Sequence, residues 1–152
     1  MNPGEQVSSF PFNATSDLQA TLDDYRGKWL VLYFYPKDAT PGCTTESQDF
    51  RDQYAQFADL NAELFGISRD SLKSHENFKA KQQLPFELIS DADEQICQQF
   101  DVIKMKSMYG KQVRGIERST FIIDPQGKLR HAWRKVSVKE HVAEVITTLK
   151  SL

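Results

Sequence analysis

Apolar positions along the chain come in short blocks whose spacing switches between that of a strand and that of a helix. Lys28–Tyr35 (KWLVLYFY) is apolar and aromatic almost throughout, the pattern of a strand covered on both faces, and Pro36 ends it. From Cys43 to about Ala62 the spacing turns helical, with Phe50, Tyr54 and Phe57 four and three residues apart. Thr40 suits the cap of that helix and Pro41 its first position. Glu63–Ser68 reads as a second strand, 71–82 as a polar helix, Phe86–Ser90 as a third strand and Asp93–Phe100 as a short helix.

Residues 101–117 read as a polar, basic connection. Ser119–Ile123 and Leu129–Trp133 are two strands joined by a tight turn at Asp124-Pro125-Gln126-Gly127. Val142, Val145, Ile146 and Leu149, spaced i, i+3, i+4 and i+7, mark one face of a closing helix. In the turn-rich first 27 residues, Phe12–Thr15 and Gln19–Thr21 form a short hairpin. Strand–helix alternation implies parallel pairing and the late hairpin adds antiparallel strands. The expectation is an α/β fold, a mixed central sheet flanked by helices, in one domain over residues 1–152. That set includes the thioredoxin fold without singling it out.

Composition narrows the classes of function. Of the 152 residues 39% are hydrophobic and 26% charged, ordinary for a globular protein, and the net charge of -2 gives no reason to expect nucleic acid as partner. The longest apolar run is strand-sized, so no membrane span is expected. Met1-Asn2-Pro3-Gly4-Glu5 shows neither the basic nor the apolar stretch of a secretory signal, and a cytoplasmic location is the expectation. In a reducing compartment the two cysteines, Cys43 and Cys97, are not expected to form a structural disulfide.

Candidate chemistry concentrates in one segment, Phe34-Tyr35-Pro36-Lys37-Asp38-Ala39-Thr40-Pro41-Gly42-Cys43. It places a cysteine after a buried strand, behind a proline-rich turn, in the first turn of a helix. Ligands of open α/β sheets gather at this end of a strand. Amides at a helix start favour an anion, and a thiol there is favoured as thiolate, the nucleophilic form. Taken alone, the segment also suits a small structural cysteine. No partner cysteine stands at Cys-x-x-Cys spacing, Asp49 stands where a Cys-x5-Arg phosphatase needs arginine, and His75, His131 and His141 lie at no metal-ligand spacing.

The pattern Pro36-x-x-x-Thr40-x-x-Cys43, within the longer run YPKDATPGCTTE, resembles the peroxiredoxins, and the peroxiredoxin Q (bacterioferritin comigratory protein) subfamily in particular. Ser90-Asp91, Phe100-Asp101-Val102 and Arg118-Ser119-Thr120-Phe121 resemble that subfamily too, so the likeness runs along almost the whole chain. The resemblance implies a thioredoxin-like fold and a thiol peroxidase that needs no metal, haem or flavin. It makes Cys43 the peroxidatic sulfur, oxidised to sulfenic acid by hydrogen peroxide or an organic hydroperoxide. Thr40 would hydrogen-bond the peroxide and the sulfur, Pro36 would shield them from water, and Arg118 would stabilise the thiolate and the transition state. Glu46 is a candidate for orienting that arginine.

The chain departs from the subfamily where a second cysteine is usual. Five residues after Cys43 stands Gln48, and Ser74–Lys79 holds no cysteine. Cys97 is the remaining candidate resolving thiol, although its neighbours Ile96 and Phe100 suit a buried core residue. A one-cysteine cycle is expected, with glutathione and glutaredoxin, or thioredoxin, as reductant, in a monomeric protein. The rival reading is a peroxide-sensing redox module without efficient turnover. The basic stretch Lys104–Arg114 is either a solvated loop or a rim that attracts an acidic reductant or glutathione, with Met105, Met108 and Tyr109 at the substrate mouth.

Overall fold

A computed structural model describes residues 1–152. Seven strands form one sheet: β1 (Pro11–Ala14), β2 (Leu18–Thr21), β3 (Trp29–Phe34), β4 (Ala62–Ser68), β5 (Glu87–Ser90), β8 (Ser119–Ile123) and β9 (Leu129–Trp133), in the order β2-β1-β5-β4-β3-β8-β9. A separate pair, β6 (Ile103–Met108) and β7 (Lys111–Ile116), stands outside it. The three strands followed by helical crossovers, β3, β4 and β5, pair in parallel, and the hairpin-connected strands pair antiparallel. This is the mixed sheet that the alternation predicts.

The period of two along β3 divides the interior. Leu30, Leu32 and Phe34 enter one core with Phe65, Phe100, Phe121 and Cys97, while Val31, Tyr33 and Tyr35 enter the other with Cys43, Phe50, Phe57 and Val145. Helices α1 (Pro41–Asp52), α2 (Tyr54–Asp59), α3 (Leu72–Gln82) and α5 (His141–Ser151) supply the second core; α4 (Gln95–Gln99) supplies the first. Tyr33 fits because its neighbour on β4 is Gly66, where an added Cβ would stand 2.7 Å from the tyrosine ring. The Tyr33 hydroxyl then reaches Ser47 at 2.9 Å and ties β3 to α1.

Two expectations need correction. The helix expected from Cys43 to Ala62 is two helices, broken at Gln53, where ψ is 8°; both Phe50 and Phe57 stay buried. The connection expected over 101–117 is the β6–β7 ribbon. Its turn is Tyr109-Gly110, both at positive φ (52° and 77°), the conformation a two-residue hairpin requires. Only Ile116 at its base is buried, so the ribbon has no apolar face and no alternation betrays it.

Candidate active site

The site is built at the carboxyl end of β3, where a turn of five residues (36–40) leads into α1. The turn holds Ala39 in the left-handed region, φ 63°, a conformation that costs a non-glycine residue energy unless the surroundings enforce it. Asp38 supplies the enforcement. Its buried carboxylate accepts from the Tyr35 hydroxyl at 2.6 Å and the Ser74 hydroxyl at 2.8 Å, and meets His75 Nδ1 at 2.7 Å, while its amide donates to Asp70. The other ring nitrogen of His75 donates to the Ile89 carbonyl at 2.9 Å. The turn is thereby fastened to β4, α3 and β5.

Beyond the turn, Thr40, Pro41, Gly42 and Cys43 begin α1 with Pro41 at its first position. The amides of Gly42 and Cys43 lie in the first turn, which has no acceptor within the helix. Arg118 is the residue just before β8, the strand next to β3. β8 pairs with β3 so that Ser119 faces Phe34, which sets Arg118 beside the end of β3. Its Nη2 donates to Cys43 Sγ at 3.4 Å and its Nη1 to Glu46 Oε1 at 2.6 Å. Guanidinium and helix start converge on the sulfur, and both favour negative charge there.

Glu46 lies one helical turn after Cys43 and is fully buried, with Oε2 lacking any partner. Burial pushes its carboxyl up to about 7, against the pull of Arg118. For the less deeply buried Arg118 the balance reverses: burial opposes its charge, but Glu46 and Cys43 prevail and raise its pKa further.

The structure thus brings Cys43, Arg118 and Glu46 into contact, with Pro36 and Thr40 on the turn beside them. Thr40 precedes the helix in extended conformation, yet its hydroxyl does not cap it; Oγ1 donates to the Lys37 carbonyl at 2.8 Å instead. Cys97 is not brought to the site. It belongs to the core on the other face of the sheet, and its thiol is pushed well up by burial and by Asp91. Gln48 donates to Gln82 on α3 at 2.8 Å. His141, buried on Thr120 at 2.8 Å, has its pKa lowered to about 4 by burial and is no partner of the sulfur.

Asp38 and His75 are site residues that the sequence reading passes over, because His75 is a lone histidine until the fold sets it against the turn. With Asp70 they place ligand atoms within 4.8 Å of one another, but those atoms are spent on Tyr35, Ser68, Ser74 and Ile89. A cleft of about 480 Å³ opens beside the site between Pro36, Arg118, the ribbon residues Lys104–Ser107, and Lys135. Met105 lines it, whereas Met108 and the fully exposed Tyr109 stand at the far tip of the ribbon.

No helix is long and apolar enough to cross a membrane. The AhpC/TSA family pattern matches residues 3–132. Peroxiredoxin Bcp of Xanthomonas campestris is 54% identical over 141 residues, covering 93% of this chain and 88% of that protein. Peroxiredoxin Bcp of Bacillus subtilis is 55% identical over 131 residues, 86% of this chain and 83% of its own. A solved structure of the Xanthomonas campestris bacterioferritin comigratory protein, described for its alkyl peroxide reduction activity, superposes with a TM-score of 0.89 at 53% identity, over 93% of this chain and 90% of that one. These likenesses and the thioredoxin-like architecture agree: the chain belongs to the AhpC/TSA family and is a thiol peroxidase of its peroxiredoxin Q (Bcp) branch, acting on a peroxide and a thiol reductant.

Proposed function

We propose that Cys43 is the peroxidatic sulfur and that it alone carries the redox cycle. The supporting observation is the Arg118 guanidinium, 3.4 Å from Sγ and held by buried Glu46. The Cys43 thiolate attacks the terminal oxygen of a hydroperoxide; an S–O bond forms, the O–O bond breaks, and the departing oxygen leaves as alkoxide or hydroxide and takes up a proton. Arg118 and the first-turn amides sit where that negative charge shifts. Thr40, whose own proton is engaged with Lys37, receives the peroxide O–H as acceptor, and Pro36 keeps water off the sulfur.

Hydrogen peroxide and small organic hydroperoxides are the substrates, in line with the alkyl peroxide reduction described for the Xanthomonas relative. With Gln48 on α1 and Cys97 in the opposite core, the sulfenic acid waits for an external thiol, thioredoxin or glutathione with glutaredoxin. Residues 1–152 act as one domain and one monomer in the cytoplasm, where both thiols stay reduced.

A coupled peroxidase assay with each reductant tests this. Sustained turnover in wild type and none in Cys43→Ser is the expected result. A single turnover followed by silence with every reductant would favour the sensing module, and peroxide consumption by Cys43→Ser at the normal rate would end the proposal.

A further inference from the structure

We propose that the cleft between Pro36, Arg118 and the β6–β7 ribbon binds a small carboxylate-bearing thiol of the glutathione type, which reduces the Cys43 sulfenic acid while α1 remains folded. The proposal rests on Cys43 being the peroxidatic sulfur and names the reductant and its site.

Three observations meet at this cleft. The first is size: about 480 Å³ suits a tripeptide-sized ligand and not a protein surface. The second is charge. Lys104, Lys106, Lys135 and Arg118 face the cleft against a single acid, Glu117, in a chain whose net charge is -2. Neither Lys106 nor Lys135 has a carboxylate in ion-pair range, whereas Lys104 is shared with Asp101 at 3.2 Å and Arg118 with Glu46 at 2.6 Å. Cations gathered in a concave, partly apolar wall attract anions more strongly than the same charges spread over a surface.

The third is access. Cys43 is 1% exposed, so its sulfur is not presented to a thiol carried on a broad protein surface. A slender CH₂–SH group needs no more room than the hydroperoxide does. Arg118 is the shared wall, lining the cleft and donating to Sγ. Lys106 lies within the field of both groups: burial and Arg118 pull its pKa down while Glu117 and Cys43 oppose them.

The chemistry closes without further reagents. The bound thiolate attacks the sulfenic sulfur; an S–S bond forms, the S–O bond breaks, and hydroxide leaves as water after taking a proton. A second thiol then attacks the mixed disulfide, releasing Cys43 as thiol and the small thiol as its disulfide. Two thiols are oxidised and the sulfenic sulfur is reduced by two electrons.

The test begins with protein oxidised by one equivalent of peroxide, the sulfenic acid at Cys43 being verified by mass. Its decay is followed with glutathione (anionic), 2-mercaptoethanol (neutral) and cysteamine (cationic), in wild type and in the Lys104→Glu/Lys135→Glu double variant. The glutathione-to-cysteamine rate ratio is expected to fall about tenfold or more in the variant, as reversal of two cleft charges implies. In wild type, where folding is not at issue, added salt should slow glutathione and leave 2-mercaptoethanol unchanged. A ratio unmoved by charge reversal, together with a salt-independent glutathione rate, overturns the cleft. Absence of any sulfenic acid at Cys43 overturns instead the peroxidatic reading beneath it.

Discussion

Cys43 and Cys97 are 1% and 0% exposed, and each is the third residue of a helix, α1 and α4 respectively. Burial and helix position therefore do not distinguish them. Their neighbours do. At α4 the first-turn amides are already taken: Asp91 accepts from Ile96 at 3.1 Å and from Cys97 at 2.7 Å, and burial together with that carboxylate pushes the Cys97 thiol well up. At α1 no carboxylate answers the amides, and a guanidinium points at the sulfur. A helix start makes a thiol nucleophilic when the sulfur itself is the anion the helix end receives, and not when an acid has arrived first.

The largest expected effect breaks the pair directly. Cys43→Ser should lower peroxide consumption at least about a thousandfold, as loss of a nucleophile does, whereas Cys97→Ser should leave it within a factor of about two. Equal losses in a stopped-flow peroxide assay would mean that the α4 thiol takes part after all. Arg118→Met comes next: it keeps much of the side-chain volume and removes the cation. It should slow Cys43 oxidation about a hundredfold, the usual scale for a preorganised donor. Alkylation of Cys43 by iodoacetamide at neutral pH should slow with it, and Cys97 should stay unmodified in both proteins. If alkylation of Cys43 were unchanged, the arginine would be acting on the peroxide alone.

Much of this contrast is legible in the chain, and the illegible part has one physical origin. The run from Tyr35 to Glu46 is contiguous, so strand end, turn, helix start and sulfur can be read together, and the double-sided burial of β3 shows in its unbroken apolar sequence. Arg118 is 75 residues away from Cys43, and only its resemblance motif points to it; the register of β8 on β3 is what sets it beside the sulfur. Cys97 is legible as a core residue through Ile96 and Phe100, but its position at a helix start answered by Asp91 is not. His75 and Asp38 illustrate the same limit, since a buried polar pair leaves no periodic trace. The β6–β7 ribbon escapes for the opposite reason, having almost nothing buried to impose a period.

A subtler contrast lies in Glu46, the acid that serves Cys43 indirectly where Asp91 contacts Cys97 directly. Its carboxyl titrates at about 7 in the folded protein against 4.5 for the free side chain. Between those values the folded state keeps a proton that the unfolded state has lost, so this group makes stability fall as pH rises through the window. Glu46→Gln removes the slope and retains an acceptor for Arg118. The variant should therefore gain stability relative to wild type on going from below pH 4.5 to above pH 7, by up to about 3 kcal/mol, read from urea midpoints. Its peroxide reaction should slow by about tenfold or less, since the guanidinium keeps a hydrogen-bond partner. A pH dependence of stability identical in the two proteins would show that Glu46 is ionised throughout.

The smallest effect concerns the residue just before each cysteine. Before Cys97 stands Ile96, packed in the core; before Cys43 stands Gly42, where an added Cβ would lie 3.2 Å from Arg118 Nη2. That atom is the end of a long side chain and can yield by a few tenths of an ångström, so Gly42→Ala should not harm the fold. Gly42 does not occupy the left-handed region, and alanine in the first turn should stabilise the helix by about 0.5 kcal/mol. The yielding atom, however, is the one that donates to Cys43 Sγ, and hydrogen bonds to charged groups weaken as they lengthen. Gly42→Ala should thus raise the urea midpoint slightly while slowing Cys43 oxidation a few-fold. Opposite signs in the two measurements would separate the geometry of the sulfur from the stability of the helix that carries it, whereas a faster or unchanged reaction would mean that Arg118 has slack to spare.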